Sequence, residues 1–367
     1  MLIAQNCGGL KRALVVLVAL TACTIQNTPP PSPSPTSPAQ SQAADVRTRM
    51  DLLLSEQVMI VAKESAAAVN HSDEYTAYAS LLSLNTSDLS ALIARAFGNT
   101  SGVQFMNLWS AQNGFLVDYA IGVVTHNDDK AKAAIGNLNS SFAPQLTQLI
   151  SAMSHLPNDP TGQLIVEQLR DDKAFIDDVF AGTFKAYYAD LHRAYAHTSR
   201  LGDLLAEEIA VDFPDRFPGN PADPSVDARV TLNLALQEHS YLATMATDAT
   251  VSGRSSEKAE AFLALMSNND GMQSVVEDSR FSLAWSKEVG SLSAYALNGD
   301  PASAKSLTDT FVSELAVVVS KASPSVISHH VNATIRVVDD QRAKAPSVAD
   351  DDRAAATSMQ PIADSIR

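Results

Sequence analysis

From residue 46 onward, apolar residues return every three or four positions. Val46, Met50, Leu54, Val58 and Val61 form one stripe; Phe105, Leu108, Trp109, Phe115, Leu116, Tyr119 and Val123 form another. That spacing lines one face of an α-helix, where about 3.6 residues make a turn. No run alternates apolar and polar residues long enough to predict a strand, so the pattern predicts an all-α protein. Ser72-Asp73, Thr86-Ser87-Asp88, Asn127-Asp128 and Asn158-Asp159-Pro160 carry N-capping side chains and are expected to start helices.

One stretch breaks the helical pattern. FPDRFPGNPADPSVD, from Phe213 to Asp227, holds four prolines and a glycine and cannot be helix interior. The sequences on its two sides correspond. FMNLWSAQNGFLVDYA from Phe105 and FSLAWSKEVGSLSAYA from Phe281 share Phe, Trp, Ser, Gly, Tyr and Ala at a constant shift of 176. DLLLSEQ from Asp51 parallels NLALQEH from Asn233, and EQLRDDKAFIDD from Glu167 parallels HHVNATIRVVDD from His329. We read an internal duplication: repeat 1 over residues 45–218 and repeat 2 over 219–367. Each repeat supplies four or five amphipathic helices, enough for a bundle.

The N-terminus differs in kind. Lys11 and Arg12 precede eight apolar residues, Ala13 to Leu20. Eight is far short of the roughly 20 a spanning helix needs, so residues 1–22 read as a signal peptide. Leu20-Thr21-Ala22-Cys23 resembles the bacterial lipobox, which implies acylation (palmitate) at Cys23 and a membrane partner through the lipid. An ordinary secreted protein cut near Ala22 is the other reading. Six of the 17 prolines lie between Pro29 and Pro38, so residues 23–44 are expected to form the lipidated cysteine and an extended tether. The expected location is the outer face of the cell membrane, or the periplasm or outer membrane if the envelope has two membranes.

Charge and cysteine content narrow the partners. The chain carries −15, and loss of Lys11 and Arg12 with the signal makes it −17, which argues against nucleic acid as a partner. Cys7 and Cys23 are the two cysteines, so the folded part has no disulfide and relies on its core. Asp350-Asp351-Asp352 reads as the acidic first turn of a helix, with cation binding as the alternative.

At the repeated segments the chain resembles a family of exported bacterial helical-repeat proteins for which no activity is established. The family's repeats carry Glu-His on a first helix, Leu-Trp-x-x-His…Phe-Val-x-Tyr on a later one, a His-Val-Asn-Gln helix, and His-Met before Phe-Pro-x-x-Phe. Repeat 1 matches through LWSAQNGFLVDY and FPDRF, and repeat 2 through QEH and HHVN. Where the family pattern has histidines, repeat 1 has Gln57, Gln112, Gln168 and His197. Repeat 2 has His239, Glu288 and His330, with a fourth position near Ala356.

Gln112 lies four residues from both Leu108 and Leu116 and so faces the core with Trp109, as Glu288 does beside Trp285. Polar groups there must be hydrogen-bonded. We expect Gln57, Gln112, Gln168 and His197 to form the core polar cluster of repeat 1. His239, Glu288 and His330 are expected either to hydrogen-bond one another or to bind zinc, iron or copper, since two imidazoles and a carboxylate form a known ligand set. His192 and His197, five apart on one helix, suit exposed or capping roles, and His71, His126 and His155 sit near predicted helix ends. No nucleophile elbow, phosphate loop or dinucleotide fingerprint is present, and no catalytic residue is assigned. The expected function is non-enzymatic binding or scaffolding in the envelope, with an envelope protein or a small ligand as partner. The alternatives are a metal-binding bundle and a hydrolytic enzyme, the latter without a motif.

Overall fold

The computed structural model describes residues 37–319 and 321–366. The signal segment, Cys23 and the tether up to residue 36 lie outside them. The described residues contain helices and no strand. Repeat 1 comprises α1 (Gln42–Val69), α2 (Glu74–Phe97), α3 (Asn99–Val124), α4 (Asp128–Asn137), α5 (Ala143–Ser154), α6 (Asn158–Ala181) and α7 (Phe184–Asp212). Repeat 2 comprises α8 (Pro224–Val251), α9 (Ser255–Val276), α10 (Ser279–Asn298), α11 (Pro301–Lys305), α12 (Val312–Val318), α13 (Pro324–Ala343), α14 (Val348–Thr357) and α15 (Met359–Ser365).

Three of the four helix starts predicted from capping residues are helix starts, those of α2, α4 and α6. Asp73 precedes α2, and the Asn127 side chain accepts from Lys130 N at the start of α4. Helix α1 begins at Gln42, inside the expected tether, because Ser41 Oγ accepts from Ala44 N. Thr86-Ser87-Asp88 is a correction: it lies inside α2, where Thr86 Oγ1 donates to Leu82 O. The acidic start of α14 is as read, with Asp350 and Asp351 in its first turn.

The element order repeats as a duplicated unit requires. A π-helical turn, Leu138–Phe142, joins α4 to α5, and another, Ser306–Phe311, joins α11 to α12. Each ends on a buried phenylalanine that packs edge-on against its repeat's tryptophan: Phe142 on Trp109 at 6.2 Å and Phe311 on Trp285 at 5.1 Å. Helix α7 is one rod of 29 residues, whereas its counterpart is broken into α14 and α15.

The repeats share one hydrophobic core and form one compact unit. Helices α1 and α8 pack against each other at its centre. Both are buried on nearly every side, including polar residues such as Asp51, Glu56, Lys63 and Glu238. The flanking helices reciprocate: α7 packs on α9, and α14 packs on α2. Contacts made once in each direction are the mark of a two-fold arrangement.

That pseudo-two-fold is visible atom by atom. Arg47 Nε pairs with Asp203 at 2.6 Å in its own repeat, and its Nη1 with Asp227 at 2.5 Å across the seam. Its Nη1 also donates to Pro221 O. Arg229, 182 positions later, pairs with Asp364 at 2.8 Å in its own repeat and with Asp45 at 2.7 Å across the seam, and donates to Ala39 O. Two crossed ion pairs thus latch the repeats at the start of α1 and α8. Beside the second latch Asn233 Nδ2 donates to Asp364. Its counterpart in repeat 1 is the buried Asp51, whose pKa is pushed well above the usual range by burial and then by Asp203. Gly202 makes room for it: a Cβ there would stand 1.9 Å from Asp51 Oδ1.

Candidate functional site: two tryptophan clusters and a polar seam

Three arrangements of buried polar groups among the described residues are candidates for a site. The first is in repeat 1, around Trp109. The helix face of α3 brings Trp109 and Gln112 inward; α6 brings Gln168 and α7 brings His197. They line a cavity of about 20 Å³, completed by Phe142, Leu146, Leu164 and Leu201. That is room for one water. Trp109 Nε1, Gln112 Oε1, Gln168 Oε1 and His197 Nε2 have no hydrogen-bond partner among the described residues, and His197 Nε2 stands 3.5 Å from Glu167 Oε2. The glutamines do not pair with one another as the sequence suggested. Gln168 Nε2 donates to Asp172 Oδ1 at 2.8 Å, and His197 Nδ1 meets Asp171 Oδ2 at 2.8 Å. Gln57 stands apart from the cavity: its Nε2 donates to Asn113 Oδ1 at 3.1 Å, and Asn113 Nδ2 donates to Thr86 Oγ1 at 2.9 Å. Burial pushes the Asp172 carboxyl up to about 7.

The second cluster is its counterpart in repeat 2, around the fully buried Trp285. The His239 ring lies 4.7 Å from the indole and the His330 ring 5.9 Å from it. His239 Nε2 meets Glu288 Oε2 at 3.5 Å, and Nδ1 meets Asn268 Oδ1 at 3.3 Å. His330 is engaged elsewhere: Nδ1 meets Ser358 Oγ at 3.1 Å and Ala355 O at 3.3 Å. Burial holds the His330 imidazole down to about 3. His239 and His330 both stand edge-on to the Trp285 indole and His239 meets Glu288, but the three are not among the groups whose ligand atoms lie within 4.8 Å of one another. Among the described residues His155, Glu208 and Asp212 do so, on the surface. Ser358, which meets His330, lies close to Ala356, where the sequence placed the fourth position.

The third arrangement is the seam between the repeats. Glu56 on α1 is buried and receives Asn85 Nδ2 at 2.8 Å, Tyr241 OH at 3.1 Å, and Arg353 Nε and Nη2 at 3.2 and 3.0 Å. Arg353 Nη2 also reaches Asp88 Oδ2 at 2.5 Å. Arg49 stands 4.0 Å from the same oxygen and has no hydrogen-bond partner among the described residues. Arg49, Glu56, Asp88 and Arg353 line a cavity of about 250 Å³ with Leu52, Leu53, Asn233, Gln237, Ala356, Thr357 and Gln360.

The equivalent position across the pseudo-two-fold keeps the frame, with its buried glutamate, and lacks the charges of Arg49 and Asp88. Glu238 replaces Glu56, and Asn268 replaces Asn85, donating to Glu238 at 2.9 Å and to Ala235 O as Asn85 does to Leu53 O. His192 takes the place of Arg353 and meets Glu238 at 2.7 Å. Arg49 becomes Thr231 and Asp88 becomes Gly271. One further seam group has no echo. Lys63 Nζ pairs with Asp352 at 2.5 Å and donates to Thr244 Oγ1, while Tyr78 OH donates to Asp352. The equivalents of Lys63 and Asp352 are the buried Met245 and Leu191.

Sequence reasoning singled out both tryptophan clusters and missed the seam. Its signal was lysine and glutamate inside the apolar run of α1, residues that read as an exposed face. His192 is exposed, as expected, whereas His197 is buried against Asp171. His71, His126 and His155 all take left-handed conformations next to helix ends.

Comparison with protein-family models, with curated proteins and with solved structures finds no match for this chain. No described helix is long and apolar enough to cross a membrane.

Proposed function

We propose that this chain is a lipid-anchored, extracytoplasmic binding protein, tethered through Cys23, that takes up a small polar ligand in the seam cavity. One observation carries the reading. A duplicated scaffold presents two equivalent positions, and at one of them two arginines and two carboxylates line a cavity of about 250 Å³. Structural need does not account for Arg49 and Asp88, because the other copy holds the same frame, with Glu238 and His192 for Glu56 and Arg353, and has Thr231 and Gly271 at those two positions. Cavities of a few hundred Å³ with a few convergent polar groups are the usual form of a small-molecule site. The tryptophan clusters support binding rather than catalysis. They are closed by aromatic and aliphatic side chains, and their imidazoles are held by protein partners.

The kinship with exported helical-repeat proteins belongs to the same proposal, and it is consistent with the signal, lipobox and tether. The test is retention. Wild-type protein and Ala356→Trp, which fills the cavity, are incubated with a small-molecule extract of the cells that make the protein, desalted and denatured. The released compounds are read by mass spectrometry. A compound carried by the wild type and not by the filled variant supports the reading; equal retention by both contradicts it.

A further inference from the structure

We infer that the seam cavity recognises a zwitterion of the α-amino-acid type with a small apolar side chain. This rests on the binding reading above and names its ligand class.

The charges of the cavity are not equally available. Glu56 is enclosed, with its carboxylate oxygens taken by Asn85, Tyr241 and Arg353. Arg353 is committed to Glu56 and Asp88 and is itself largely enclosed. Both therefore act as fixed walls. The open groups are Arg49 and Asp88, whose side chains are 44% and 35% exposed and whose contact is a loose 4.0 Å. A guanidinium with its donors free and a carboxylate with Oδ1 free thus stand side by side at one cavity.

A ligand with a carboxylate and an ammonium a few bonds apart answers both at once. Its carboxylate takes two parallel hydrogen bonds from the Arg49 fork. Its ammonium donates to Asp88 Oδ1. An anion alone would leave the open oxygen of Asp88 facing it, and a cation alone would leave the open guanidinium of Arg49 facing it. Like-charge approach of that kind is what suppresses wrong partners. Leu52, Leu53 and Ala356 leave an apolar stretch of wall for a short aliphatic side chain, and Asn233, Gln237, Thr357 and Gln360 supply neutral polar contacts.

The experiment is calorimetric titration of the full chain with L-alanine, L-valine and L-leucine. L-valine and L-leucine are compared with analogues that lack one charge: isobutylamine and isoamylamine for the ammonium alone, isobutyrate and isovalerate for the carboxylate alone. At least one amino acid is expected to saturate a single site, and its one-charge analogues are expected to bind at least about tenfold more weakly. Arg49→Gln and Asp88→Asn are each expected to weaken that binding by about tenfold or more. Both side chains are half-exposed, so the variants are expected to fold; a circular-dichroism melt checks this, and Arg280→Gln, remote from the cavity, serves as control. Equal binding of the one-charge analogues, or no saturation by any of the three amino acids up to roughly 10 mM, near the weak end of specific affinity, overturns the inference. If that occurs while Ala356→Trp still abolishes retention of some other compound, the ligand class falls and the binding reading stands. If retention is also unaffected, both fall.

Discussion

Lys63 and Asp352 form a buried ion pair, 2.5 Å apart, where the equivalent positions of the other repeat bring no charge at all. Met245 and Leu191 occupy those positions and are buried as well. The same backbone frame therefore tolerates either solution. Burying two charges costs several kcal/mol, and their attraction repays it only with added hydrogen bonds, which Tyr78 and Thr244 supply here. Lys63→Met alone is expected to cost about 3–5 kcal/mol, the usual penalty for stranding one buried charge. Lys63→Met with Asp352→Leu is expected to recover most of that loss, since it copies the other side of the seam. Urea denaturation of both variants checks the pair.

Glu64 gives the fold a measurable dependence on pH. Burial pushes its carboxyl up to about 7, and one of its oxygens has no partner. An unfolded glutamate titrates near about 4.3. Between those values the folded chain holds a proton that the unfolded chain has lost. Its stabilising contribution is therefore complete below about pH 4 and disappears as pH rises through about 7. Glu64→Gln removes this residue's share of the dependence, while Asp51 and Asp172 keep theirs. The variant is expected to gain on the wild type by up to about 1.4 kcal/mol per pH unit across that window, read from denaturation midpoints at several pH values.

His330 works in the opposite direction. Burial holds it down to about 3, while an unfolded histidine titrates near about 6.5. Below about 6.5 the unfolded chain takes up a proton that the fold refuses, so stability is lost as pH falls toward about 3. His330→Gln, the residue that repeat 1 carries at the equivalent Gln168, is expected to flatten the acid limb of the stability profile. The same titrations measure it.

The anchor has its own test. Cys23 is expected to incorporate labelled palmitate in growing cells, and Cys23→Ser to abolish the label and release the protein from the membrane fraction. Labelling of the serine variant, or membrane retention without label, contradicts anchoring at this residue.

Much of the fold was legible in the sequence because core positions obey helical spacing. The Phe105 and Phe281 segments aligned by eye, and with them the tryptophan clusters. The second half of the repeat was harder to read for a simple reason. The offset between repeats shrinks along the chain, from 182 at Arg47 and Arg229 to 161 at Asp203 and Asp364, as the helices and connections of repeat 2 shorten. A fixed offset therefore loses Ser358 as the partner of His197. The seam was illegible for a different reason. Asp51, Glu56, Lys63 and Glu64 look like the wet face of an amphipathic helix, and nothing local reveals that another repeat covers that face. Only the tertiary pairing of α1 with α8 turns those residues into interior groups.

The reciprocal latch tests the pseudo-two-fold most directly. In a chain with Cys7 and Cys23 replaced by serine, two double variants are made: Arg47→Cys with Asp227→Cys, and Arg229→Cys with Asp45→Cys. A short bis-maleimide, which alkylates two thiols, is expected to link both pairs within one chain, to similar extents, in the folded protein and not in urea. If either pair stays unlinked while circular dichroism shows the helices intact, the two repeats do not embrace in the way described.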